Sequence, residues 1–177
     1  ARPIAGAGVI GEDVEAFRQQ LLSRDKDRAK TLNDIADMRA RLAALRAAES
    51  TLAPKSGPGG LQDIELFAQS ATLLQGVAAR DIDTQLMQAG SAFELSDADQ
   101  VMVKRAGDLF WKCQCAMRLL AAGAARDPAD FGAGATAFFL RSTGRDSLQA
   151  LEAEVADLTT RVSALIDTHI GTSDNSV

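Results

Sequence analysis

Apolar side chains recur every three or four residues along most of the chain, and breaks rich in glycine, proline, Ser and Asp separate the runs. That period gathers the apolar groups on one face of an α-helix. Val14, Phe17 and Leu21 predict a first helix from Glu12 to Leu22, with an acidic start that suits the helix dipole. A second runs from a cap at Asp25 or Asp27 to Glu49, with Leu32, Ile35, Met38, Leu42 and Leu45 as its stripe. Ser50 to Gly60 interrupts the pattern, because Pro54 and Pro58 cannot sit inside helices and the glycines supply tight turns. A third helix follows from Leu61 to Ala79. Its apolar stripe is Ile64, Phe67, Ala71 and Leu74, beside a polar stripe of Gln62, Glu65, Gln69 and Thr72.

The second half repeats the theme. Asp81 to Ala89 reads as a short fourth helix ended by Gly90, and Ser96-Asp97-Ala98-Asp99 caps a long fifth reaching Ala122. Val103, Phe110, Cys113, Met117 and Leu120 mark its inner face, widened by Trp111. Asp127-Pro128 separates it from a weaker sixth helix, Ala129 to Leu140, in which Gly132 and Gly134 lower the propensity. After a turn from Arg141 to Arg145, Asp146 or Ser147 caps the last helix. There Leu148, Leu151, Val155, Leu158, Val162, Leu165 and His169 alternate by three and four, which lays that helix along another, in this chain or in a partner. Gly171 ends it. The expected fold is all-α: one domain over residues 1–177, an antiparallel bundle of about six or seven helices with long second, fifth and last members. Residues 1–11 form an extended lead-in and 172–177 a flexible tail.

Composition agrees with this. Apolar residues make up 46% of 177, tyrosine is absent and β-branched runs are scarce. The net charge of −5, with few aromatics, argues against nucleic acid as a partner. No apolar run of about 20 residues is present to cross a membrane. Cys113 and Cys115 point to different faces of one helix and cannot pair, which fits a reduced cytoplasmic protein with buried thiols. The start at Ala1 rather than Met points to a processed or excised piece of a longer protein.

Candidate chemistry concentrates at Pro54 to Gln69. Lys55 before Gly-Pro-Gly-Gly invites a phosphate loop, but a Walker loop needs its glycines before Lys-Ser/Thr at the helix start, so a structural turn is the better reading. Asp63 and Glu65 lie about 200° apart on a helix and cannot act as one carboxylate pair. Asp63 suits a contact with the helix dipole, and Glu65 a pair with Arg39 or Lys55. His169, the only histidine, continues an apolar stripe and lacks partners for a nucleophilic or metal site. The residues alone give a helical domain with no self-sufficient catalytic set and no metal site.

Lys55 followed by Gly59-Gly60-Leu61-Gln62-Asp63-Ile64-Glu65-Leu66-Phe67-Ala68-Gln69 resembles the K-x-G-x-G-G-L-x-D-I-E-F-x-x-Q motif of glutamine synthetase adenylyltransferases. Asp37-Met38-Arg39-Ala40-Arg41-Leu42 is similar to the D-M-R-x-[RK]-[IL] segment before it, and Ala1-Arg2-Pro3-Ile4-Ala5-Gly6 to the segment leaving the nucleotidyltransferase core. Leu66 departs from the usual Phe, a packing swap. The family carries two halves, each a core followed by a helical domain, and Asp63-Ile64-Glu65 resembles the adenylylating C-terminal half. The uridylyltransferase that modifies PII has a related helical domain and is a weaker match.

The resemblance implies that this chain is the helical domain after the C-terminal core, without the Gly-Ser motif and paired aspartates that hold Mg²⁺ and ATP. No cofactor is expected in the chain itself. Its implied partners are its own nucleotidyltransferase core, glutamine synthetase and the PII protein. On this reading Lys55, Gly59, Gly60, Asp63, Glu65 and Gln69 face that core or its substrate, and Arg39 braces Glu65. The alternative is a stand-alone interaction module that binds through the last helix.

Overall fold

A computed structural model describes residues 8–45, 51–120 and 131–171. Among these the chain forms seven helices and no strand: α1 (Gly8–Leu22), α2 (Arg28–Leu45), α3 (Leu61–Gln75), α4 (Ile82–Ala92), α5 (Asp97–Leu120), α6 (Ala133–Thr143) and α7 (Leu148–Ile170). The all-α bundle expected from the periodicity is observed. Residues 8–11, expected in the extended lead-in, are helical, so α1 starts at Gly8 and Glu12 and Asp13 lie beyond its first turn. The rest of the lead-in, the end of the second helix beyond Leu45, the Asp127-Pro128 break and the tail after Gly171 lie outside the described residues. No described helix is long and apolar enough to cross a membrane.

One apolar core joins α2 to α7. Its centre is Ile64 and Phe67 of α3, Val103, Ala106 and Phe110 of α5, and Leu151, Val155 and Val162 of α7. Phe67 stacks on Phe93, centroids 4.6 Å apart, and so ties α3 to the α4–α5 turn. α5 packs against both α6 and α7, and α2 lies across α3 and α7. The α7 stripe is thus satisfied inside this chain. Its buried residues are Leu151, Val155, Leu158, Val162, Ile166 and Ile170, so the seam slips from Leu165 to Ile166 near the end. A straight helix of about 3.6 residues per turn drifts away from a strict heptad, which accounts for the slip.

Several boundaries move for physical reasons. α3 stops at Gln75, four residues before the expected Ala79, because Gly76 adopts the left-handed conformation and donates its N–H to Thr72 O. α4 runs through Gly90 to Ala92. Gly90 is needed there for close approach: a Cβ on it would lie 2.5 Å from Gln100 Oε1. α6 starts at Ala133, after Gly132 as N-cap, rather than at Ala129. Asp81, Ser96 and Ser147 cap α4, α5 and α7, accepting from the N–H of Thr84, Asp99 and Ala150.

α2 and α1 depart furthest from the pattern. Ile35 is buried and Leu32 half-buried, but Met38 (43% exposed) and Leu42 face outward. The inward face is Ile35, Arg39 and Ala40, flanked by half-buried Leu32, Ala36 and Ala43, so an arginine sits among apolar groups. α1 buries no residue at all; Val14, Phe17 and Leu21 are exposed. It is fastened by its polar side, with Arg18 Nη2 donating to Ala79 O at 2.8 Å and Gln19 Nε2 to Gly76 O at 3.1 Å.

A buried arginine pins the glycine-rich start of α3

The stretch before α3 folds back on the helix it precedes. Gly57 and Gly59 take positive φ, +95° and +71°. The turn brings Pro54 O to Leu61 N–H (2.8 Å) and Lys55 O to Gln62 N–H (3.0 Å), while Gly60 O accepts from Asp63 and Ile64. The first N–H groups of a helix are the ones that would hold a phosphate. Here the chain's own carbonyls fill them, so the stretch is a backbone-capped turn.

Arg39 crosses beneath this turn. It is 2% exposed. Its Nε and Nη2 donate to Asp63 Oδ1 and Oδ2 at 2.7 and 2.9 Å, a two-pronged pair. Its Nη1 donates to Asp167 Oδ1 at 3.0 Å and to the Gly171 carbonyl. Asp63 Oδ2 also accepts the Gly59 N–H at 2.8 Å. Burial works against the charge on Arg39, yet hydrogen bonds and Coulomb attraction to Asp63, then Asp167, outweigh it and raise its pKa. One cation therefore joins α2, the start of α3 and the end of α7.

The residues singled out in the sequence divide into two groups. Asp63, Gly59 and Gly60 are buried and belong to the frame. Lys55 and Glu65 are half-buried and Gln69 is exposed, so they form the outer side of the same motif. Further along the polar stripe Thr72 is buried and donates to Gln88 Oε1 at 2.8 Å, so the stripe leaves the surface there and passes under α4. The brace between Arg39 and Glu65 is not formed. Asp63 takes the guanidinium, and a residue two further on, about 200° around the helix, points elsewhere.

Asp167 was not singled out. Its signal is a carboxylate in the last turn of a helix, where the dipole disfavours negative charge and a cation is needed nearby. A second cluster likewise has no local signal in the sequence. Glu154 accepts from Arg145 Nη2 at 2.7 Å, from Arg145 Nε, and from Arg105 Nη2 at 2.5 Å, joining α5, the α6–α7 turn and α7. The Arg145 hydrogen bonds, chiefly, hold the Glu154 pKa down at about 2. Burial pushes the Cys113 thiol up to about 12, so it packs as an inert apolar group. Both cysteines are free thiols.

Among the described residues, no group of three or more His, Cys, Asp or Glu side chains could hold a metal ion. Asp63, the most buried carboxylate of the motif, is already occupied by Arg39 and Gly59. The described residues do not fit a Mg²⁺ site.

Fold and site define a class: an all-α bundle whose glycine-rich helix start is pinned by a buried arginine. The model of the family described as GlnD PII-uridylyltransferase matches residues 29–170, and the chain belongs to that family. It is similar to the bifunctional glutamine synthetase adenylyltransferase/adenylyl-removing enzyme of Rhodopseudomonas palustris (strain BisB5), 25% identical over 176 residues, covering 97% of this chain and 18% of the relative. The enzyme of that description from Bradyrhizobium sp. (strain ORS 278) is 26% identical over 167 residues, covering 92% of this chain and 17% of the relative. That of Streptomyces avermitilis is 38% identical over 79 residues, covering 44% of this chain and 8% of the relative. The chain thus spans less than a fifth of these relatives' lengths. No solved structure matches it. The likeness to glutamine synthetase adenylyltransferases carried by residues 37–42 and 55–69 therefore extends over most of the chain.

Proposed function

We propose that the chain is the helical accessory domain of an enzyme that transfers AMP from ATP to a tyrosine of glutamine synthetase and so regulates nitrogen assimilation in the cytoplasm. Mg²⁺, ATP and the reacting groups belong to a nucleotidyltransferase core outside these residues. This domain supports the core's cleft through the outer side of the α3 motif, Lys55, Glu65 and Gln69, while Arg39, Gly59, Gly60 and Asp63 keep that side in place. Glutamine synthetase and the PII protein are the partners of the whole enzyme.

The observation that carries the reading is the division of the motif. A purely structural turn needs the buried half, but nothing in the frame requires lysine at 55 or glutamate at 65. The adenylyltransferase likeness over 97% of the chain supplies the reaction class. The outward Met38, Leu42 and Phe17 support a domain that lies against another body. An interaction module acting through the α7 stripe has lost its basis, since that stripe is consumed by the chain's own core.

The test joins the chain to its nucleotidyltransferase core. Lys55→Ala and Glu65→Ala should each lower AMP transfer to glutamine synthetase by about tenfold or more, with melting little changed. Variants that melt earlier yet keep full transfer once folded would sink the cleft role. Transfer of UMP to PII, with none of AMP to glutamine synthetase, would favour the uridylyltransferase reading.

A further inference from the structure

The turn before α3 touches α7 twice, by unrelated means. At Gly59 the contact is steric: a Cβ there would lie 2.1 Å from Thr159 O and 2.9 Å from Ser163 N. One to two turns further on, the contact is ionic and runs through α2, from Asp63 to Arg39 to Asp167 and the Gly171 carbonyl. Asp63 closes the circuit by accepting the Gly59 N–H. Gly59, Asp63, Arg39, Asp167 and the Thr159 turn of α7 therefore form a closed ring of contacts. Lys55 is attached to it, because its carbonyl caps Gln62 on the first turn of α3.

The two acids in the ring are not equivalent. The Asp63 side chain is 8% exposed and is held by both prongs of Arg39, whereas that of Asp167 is 29% exposed and accepts from one Arg39 nitrogen and, at 3.4 Å, from the Ser163 hydroxyl of its own helix. If Asp167 lets go, Arg39 and Asp63 remain a neutral pair and the core stays paired. Asp167 is therefore the releasable arm, and it lies in the last turn of α7.

We propose that Arg39 makes the last turn of α7 and the glycine-rich turn one mechanical unit, so that displacing the end of α7 loosens the surface that carries Lys55. A displacement of the end of α7 then changes the order of the α3 motif without touching it. Coupling between sites travels through contiguous contacts, and Arg39 touches both ends of this one. The value of the coupling rests on the reading that the Lys55 surface meets a catalytic core, but its existence does not, and the chain alone suffices to test it.

The measurement is amide hydrogen exchange by NMR on the 177-residue chain. Asp167→Ala should speed exchange at Gly59, Leu61 and Gln62 about tenfold, while the amides of Phe110 and Phe139 stay within about twofold. Asp167→Asn, which keeps an acceptor for Nη1, should restore part of the protection. Unchanged exchange at the three turn amides would overturn the proposal. So would a rise shared equally by the α5–α6 amides, since that is global loosening. Failure of the AMP-transfer test above would leave these rates, and the coupling, as they are.

Discussion

Arg39 and Glu154 are the centres of two ion clusters of opposite design. At Arg39 one cation is shared by two carboxylates, Asp63 and Asp167. At Glu154 one carboxylate is shared by two arginines, Arg105 and Arg145. Each has a member on α7, towards opposite ends. The difference lies in where the surplus charge goes. Arg105 and Arg145 have long stems that reach water, so the second cluster can come apart without stranding a charge. Arg39 and Asp63 have no such exit, and each is tolerable only because the other is present. The first cluster sets the geometry of a motif; the second fastens a rim.

The strongest challenge to this contrast is Arg39→Leu. It leaves Asp63 buried without its partner and should cost about 3–5 kcal/mol in urea unfolding. Arg39→Lys should recover little, because a single ammonium cannot span Asp63, Asp167 and Gly171 as the planar fork does. Gly59→Ala comes next, at about 2–3 kcal/mol, combining positive φ with a collision on Thr159 O. Gly57→Ala, also at positive φ but in open space, should cost only about 1 kcal/mol. Equal losses at the two glycines would show that the wedge against α7 is not tight.

Glu154→Gln should cost less, about 1 kcal/mol, since water reaches the cluster. Its signature is in the pH dependence. The folded pKa lies below the ordinary value, so the charged form stabilises the fold above the unfolded pKa, and that contribution is lost as pH falls from about 4.5 to about 2. Stability measured across that window should fall less steeply in the Gln variant. An identical slope would mean that the Arg145 pair adds nothing to folding. Lys55→Ala is the smallest effect, within about 0.5 kcal/mol, because the frame does not use its side chain.

Much of this architecture was legible from the chain. The three-and-four spacing located α2, α3, α5 and α7, each of which buries part of one face; α4 and α6 were bounded by the breaks around them, and α1 carries the same spacing without burying it. The cap at Ser96 was legible from its local pattern, and that of α7 was narrowed to Asp146 or Ser147, of which the structure uses Ser147. The failures share a cause of another kind. Met38 and Leu42 read as core because hydropathy treats each residue singly, and Arg39 as a brace for Glu65 because Asp63 already suited the helix dipole, whereas the inward face of α2 is decided by two acids 24 and 128 positions away. Asp167 was invisible by the same logic, as was the Glu154 cluster, which joins positions 9 and 49 residues apart. Gly90 read as a stop because glycine ends helices more often than it admits a neighbour. The motif at Lys55 to Gln69 drew attention as one unit, but only packing shows that it has a buried and an outer half.

The way α1 is attached has a consequence of its own. A helix held by side-chain bonds to the carbonyls of Gly76 and Ala79, with its apolar edge turned outward, can lift away without opening a cavity. It is a fitting rather than a beam. Brief trypsin treatment should nick the turn at Arg24 or Lys26 before any site in α5 or α7. The product would begin close to residue 29, where the family match also begins. The apolar core, which draws on α2 to α7 and takes nothing from α1, would then stand without the helix before it.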